Sequence, residues 1–199
     1  MFKNLRLKIG IPQRGITLIE VIVVVFIIGI FSSILISNFP EIQRQFALSR
    51  ATYKLAQNLR KVQDMGLSGV KITDETGQTI LLKGYGIYID ATEPAQQYII
   101  YGDSCLPTDY KYTFSGLCQD HIFETINVNE DNAGVVISTI NNIDSGWVSI
   151  NFSPPNPYLV MDTLSNNQNN IEIVLALSNY PSVTSRAVSI NKSGLIEVK

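Results

Sequence analysis

The sequence predicts an α+β protein: one long N-terminal helix, first membrane-spanning and then amphipathic, packed on a C-terminal antiparallel β-sheet domain. Three observations predict it. From Ile16 to Ile36 run 21 residues carrying a single charge, Glu20. From Glu41 to Leu67 apolar residues return at three- and four-residue steps. Beyond Leu67 the period falls to two, with turn residues between short runs. The organisation expected is a leader over residues 1–15, a transmembrane helix over 16–39, an amphipathic helix over 40–67 and a β domain over 68–199.

The leader carries Lys3, Arg6, Lys8 and Arg14 and no acid. With those four set aside, 11 basic residues face 17 acidic ones, so residues 16–199 are net acidic. A basic flank before an apolar span keeps that end in the cytoplasm and places the β domain outside it. At about 1.5 Å per residue the span makes about 31 Å of helix, enough to cross the hydrocarbon of a bilayer. No small-residue cleavage site closes the apolar run, so a secretory signal peptide is not expected. Thr17 is placed to cap the first turn, and Gly29, Ser32 and Ser33 offer small residues where helices approach closely. Glu20 lies near the start of the span, where a carboxylate calls for a partner. Snorkelling to the interface is the plainer alternative.

Pro40 can kink or interrupt the helix. After it, Leu48, Ala51, Leu55, Leu59, Val62 and Met65 form the face expected to pack on a core, with Gly66 or Gly69 ending the helix. Expected strands are Thr79–Lys83, Gly86–Asp90, Tyr98–Tyr101, Ile122–Val128, Val135–Ile140, Trp147–Phe152, Tyr158–Asp162, Ile171–Leu177, Ala187–Asn191 and Leu195–Val198. The last two read as a hairpin about a Lys-Ser-Gly turn.

Candidate chemistry is sparse. Cys105 and Cys118 lie 13 apart. Outside the cytoplasm they can close a disulfide, which would contribute about 3 kcal/mol; two buried free thiols are the alternative. His121 is the single histidine; with two Cys at that spacing it matches no zinc pattern, and a Ser-His-Asp or Cys-His arrangement would have to use it, yet nothing around it resembles a nucleophile elbow. No catalytic residue, metal or cofactor is expected, and the chain does not read as an enzyme. Gly84-Tyr85-Gly86 reads as a strand bend or bulge rather than a dinucleotide loop. The turn Asn127–Gly134 is a weak calcium candidate, because Ala133 stands where an EF-hand ligand belongs. Asn151-Phe-Ser and Asn191-Lys-Ser match glycosylation triplets. Arg186, Lys192 and Lys199 can converge at the final hairpin, but the net charge is acidic and no nucleic acid is expected.

The run Gly15-Ile16-Thr17-Leu18-Ile19-Glu20, after a basic leader and before an unbroken apolar stretch with Gly29, resembles the prepilin processing motif of type IV pilins and type II secretion pseudopilins. The resemblance implies a pilin fold, cleavage between Gly15 and Ile16 by the membrane prepilin peptidase, and N-methylation of Ile16. It also implies that Glu20 neutralises the Ile16 ammonium of a neighbouring subunit, which makes 16–39 an assembly helix. Two positions depart from the pattern: Ile16 stands where Phe is commoner, and Pro40 lies three residues later than in many major pilins. Ser49-Arg50-Ala51, Leu55-Ala56, Asn58-Leu59-Arg60, Val62-Gln63, Gly84–Tyr88 and the Arg186–Val198 hairpin are similar to the GspH/FimT group of minor pseudopilins and pilins. That implies a minor subunit of a type II secretion pseudopilus serving protein export. A minor type IV pilin for adhesion or DNA uptake, and a membrane-anchored binding module that never polymerises, stay open. Implied partners are the peptidase, other (pseudo)pilin subunits, the inner-membrane assembly platform and membrane lipid. The implied location is the bacterial inner membrane, crossed once, with the N-terminus cytoplasmic and the β domain periplasmic.

Overall fold

α1 (Leu18–Ser68) is continuous through Pro40, where the sequence leads one to expect a kink or an interruption. The missing proline amide removes one helical hydrogen bond, and the ladder resumes beyond it. The computed structural model describes residues 15–69, 71–73, 77, 79–80, 82–92, 95–104, 110–115, 119–131, 133–143, 145–154, 158–162, 169–178 and 185–199. Contacts divide the chain into two units, Met1–Pro40 and Glu41–Lys199.

In the first unit the helix is apolar on every face, and the large apolar side chains from Leu18 to Ile36 are all exposed. In the second unit it is amphipathic. Ala47, Leu48, Ala51, Leu55, Ala56, Leu59 and Val62 are buried, and Met65 packs partly against them. Each buried Leu contributes about 1.5–3 kcal/mol by removal from water. The helix ends at Gly69 rather than Gly66. Gly69 takes a left-handed φ of 56° and its N–H donates to the Met65 carbonyl at 3.1 Å, an αL cap. Gly66 serves packing instead: a Cβ there would lie 2.7 Å from Phe152 Cβ and 2.8 Å from the Phe152 carbonyl oxygen.

The strands are β1 (Ile72–Thr73), β2 (Thr79–Ile80), β3 (Gly84–Asp90), β4 (Gln97–Asp103), β5 (His121–Asn127), β6 (Val135–Asn141), β7 (Trp147–Ser153), β8 (Tyr158–Asp162), β9 (Asn170–Leu177), β10 (Ser185–Asn191) and β11 (Ile196–Val198). Among the described residues they form a pair β1-β2, a four-stranded sheet β11-β10-β9-β6 and a five-stranded sheet β5-β4-β3-β7-β8. All pairings are antiparallel. The strand expected over Thr79–Lys83 contracts to β2, and Lys83 N–H instead donates to the Asp103 carbonyl at 2.7 Å, extending the β3–β4 ladder. Gly84–Gly86 is regular strand, not a bulge; the irregularity lies between Ile100 and Tyr101 against β5. Gly86 is glycine because a Cβ would strike the Tyr101 ring that lies across it.

Side chains alternate across the five-stranded sheet. Tyr85, Ile87 and Ile89, Tyr98 and Ile100, and Val148, Ile150 and Phe152 enter the core shared with α1 and the four-stranded sheet. Tyr88 and Asp90, Ile99, Tyr101 and Asp103, and Trp147, Ser149, Asn151 and Ser153 take the opposite face. The bridge Ala95↔Ile137 ties the β3–β4 connection to β6.

Candidate functional site

Gly15, Ile16 and Thr17 precede the helix, and Thr17 starts it. Glu20 N–H reaches Thr17 Oγ1 at 3.3 Å, and the Thr17 carbonyl accepts from Glu20 N–H at 3.1 Å and from Val21 N–H at 3.3 Å. Thr17 is therefore the N-cap and Glu20 the third helical residue, the spacing of a capping box. A carboxylate there also complements the positive end of the helix dipole. Glu20 is exposed and is the one charge on the stretch Leu18–Ser37, which is long and apolar enough to cross a membrane. Ile16 is 76 % exposed, and nothing lies within 4 Å of where a Cβ on Gly15 would sit. Among the described residues nothing covers the Gly15–Ile16 peptide. The segment thus sets an exposed backbone at Gly15–Ile16 about one helical turn ahead of an exposed carboxylate, Glu20.

Other sequence candidates have structural duties. The acids of the Asn127–Gly134 turn face α1: Glu130 pairs with Lys54 at 2.5 Å and Asp131 with Arg50 at 2.7 Å. Asn129 Oδ1 accepts from Gly134 N–H and Val135 N–H at 2.8 and 3.2 Å. These ligand oxygens hold the turn itself, which argues against calcium. His121 is exposed and sets its ring edge on Phe123, with centroids 5.2 Å apart. Asn151 is fully buried, so the triplet at 151–153 offers no glycan acceptor once folded. Asn191 Oδ1 accepts from Ser193 N–H and Leu195 N–H, both at 3.0 Å, and so builds the final turn. The cations of that hairpin do not gather. Lys199 pairs with Glu172 at 3.2 Å beside Arg186, and Lys192 sits at the opposite end of β10. The Asn141 amide and then Lys199 hold the Glu172 carboxyl below the usual carboxylate range.

Cys105 and Cys118 lie outside the described residues. Their chain neighbours are joined, with Ser104 Oγ donating to the Gln119 carbonyl at 3.0 Å. Asp120 accepts from Ser104 N–H at 3.0 Å and Thr113 N–H at 2.8 Å, and Tyr112 N–H donates to Ser149 Oγ at 3.1 Å. Residues 110–115 thereby lie along the outer face of the five-stranded sheet. Beneath them the buried Tyr101 hydroxyl bonds Ser149 Oγ at 2.6 Å, and burial pushes its pKa up. Sequence reasoning missed this face. Its only signal was the alternation that puts Tyr88, Tyr101 and Trp147 opposite the core residues.

Comparison with known families finds one match, the prokaryotic N-terminal methylation motif, over residues 12–36. Neither a curated protein nor a solved structure is significantly similar to the chain.

Proposed function

For a chain that carries a type IV pilin-like prepilin motif ahead of an apolar helix, we propose a minor pseudopilin of a type II secretion pseudopilus, acting in protein export. The observation that carries this is the motif at residues 12–36, which holds an exposed Gly15–Ile16 bond, a Thr17-capped helix and the lone acid Glu20. Such motifs belong to structural subunits. Prepilin peptidase removes residues 1–15 and methylates Ile16. The apolar helix 16–39 then leaves lipid for a filament core, where Glu20 meets the Ile16 ammonium of a neighbour. Bringing both charges together in a low dielectric removes the cost of leaving either unpaired. The amphipathic helix 40–67 and the β domain 68–199 face the periplasm, and Cys105 and Cys118 are bonded there.

The test is intact mass and N-terminal sequencing of the membrane-extracted chain. A chain beginning at Ile16 with one added methyl, and a mass two hydrogens short of the free dithiol, is expected; a chain beginning at Met1 overturns the reading. Glu20→Ala should abolish incorporation into filaments and leave membrane insertion intact. Unchanged incorporation would sink Glu20 as the assembly residue, and absence of the chain from any filament would favour a non-polymerising anchored module. Assignment to a secretion pseudopilus rests on the looser GspH/FimT similarity. A neighbouring retraction ATPase gene, in place of a secretin and secretion ATPase, would move the chain to a type IV pilus.

A further inference from the structure

The outer face of the five-stranded sheet carries side chains that neither the core nor the proposed assembly uses. Trp147, Tyr88, Tyr112 and Phe114 form a connected row, with ring centroids 6.2, 5.0 and 6.4 Å apart in that order. The buried Tyr101 ring lies 5.2 Å from Tyr112 and serves as a floor. Phe114 is 69 % exposed and the other three are half-buried. Where Tyr88 and Asp90 meet the β3–β4 connection, Asp90, Thr92, Gln96, Gln97, Ile99 and Asn127 line an open cleft of about 730 Å³. Asp90 Oδ1 accepts from Thr92 N–H at 3.0 Å and Thr92 Oγ1 at 2.7 Å. Burial and then the neighbouring Asp90 carboxylate push the Tyr88 pKa up.

We propose that this aromatic row and its cleft bind a neutral oligosaccharide. Each aromatic face offers an electron-rich surface to the C–H bonds of a pyranose. Neighbouring rings are tilted by 35–37° and in contact, so together they make one curved aromatic surface. The cleft supplies the complementary polar set: a carboxylate that accepts from paired hydroxyls, and amides that both donate and accept. Its size suits a small ligand fixed by a few polar groups. No Lys or Arg is among its lining residues, so a nucleic acid or another polyanion lacks the cations it would need. What surrounds the cleft, among the described residues, is mostly carboxylate, hydroxyl and amide. The site does not depend on assembly, and a Glu20→Ala chain should bind as the parent does.

The test uses the full chain in lauryldimethylamine oxide, a detergent without a sugar headgroup. Cellohexaose and chitohexaose are titrated separately, with the emission of Trp147, the single tryptophan, and calorimetric heat as readouts. A saturable signal is expected with at least one sugar. Phe114→Ala, an exposed change that leaves the core alone, should weaken binding about tenfold, the loss of one aromatic contact. Asp90→Asn should weaken it while leaving the melting temperature unchanged. The proposal is overturned if neither sugar gives a saturable signal, or if binding survives Phe114→Ala undiminished. It is equally overturned if a photo-cross-linker at position 114 captures another polypeptide and the sugars do not compete.

Discussion

The two halves of α1 draw on the same aliphatic residues and end at opposite extremes of exposure. Leu48, Leu55, Leu59 and Val62 are fully buried, whereas Leu18, Val25, Phe26 and Leu35 are each 62–78 % exposed. The apolar residues are alike; the polar residues among them and their arrangement separate the halves. In the second half, apolar residues keep to one stripe, and Arg50, Lys54 and Lys61 take the other faces to meet Asp131, Glu130 and Glu124. In the first half no polar face exists, so no orientation on a soluble core could cover it. A helix apolar all round needs apolar surroundings on every side, which a bilayer or a bundle of like helices supplies.

Substitutions can break this comparison at either half. Leu59→Ala should cost the second unit about 2–5 kcal/mol, because it opens a cavity under a fully buried side chain. Chemical denaturation in detergent reads the loss, while membrane insertion stays unchanged. Gly66→Ala comes next, at about 1–3 kcal/mol, since the new methyl meets the Phe152 backbone and β7 must shift. The helix propensity gained on replacing glycine, about 1 kcal/mol, is the smaller effect. Thr17→Ala should loosen the helix start by about 1 kcal/mol. Faster hydrogen exchange at Glu20 and Val21, with unaltered melting of the second unit, is the expected pattern; a shift in that melting would show that the halves are not independent.

The smallest effect is electrostatic and confined to the second unit. The folded pKa of Glu172 lies below its unfolded value, so its contribution is present above the ordinary carboxylate range and lost as pH falls through the folded pKa. Glu172→Gln should therefore differ from the parent by less than about 1 kcal/mol at neutral pH. The difference should close below about pH 4, read by melting temperature across a pH series.

The helix face was legible because its 3.6-residue period repeats over several turns: every position expected inward is buried or, for Met65, packs partly on the core. Thr17 was legible as a cap because its hydroxyl can satisfy an amide three residues on. Gly66 and Gly86 were harder. A glycine placed for close approach is distinguished from a cap or a bulge only by the distant side chain beside it, Phe152 or Tyr101. The aromatic row was hidden for the same reason, since Trp147, Tyr88, Tyr112 and Phe114 come from three separate stretches. The acids of the Asn127–Gly134 turn answer to cations more than 70 residues earlier, a pairing that local spacing does not show.

β11 is held from the far side by α1. Gln63 Nε2 donates to the Gly194 carbonyl at 3.1 Å and Arg60 Nη2 to the Ile196 carbonyl at 3.4 Å, across 131 and 136 residues of chain. Contacts of such separation form late, since the loop they close must first be ordered. During synthesis from the N-terminus, the helix emerges well before the strand that completes its docking. The second unit therefore finishes folding only after residues 194–198 are made, which sets a natural order: helix first, domain closure second.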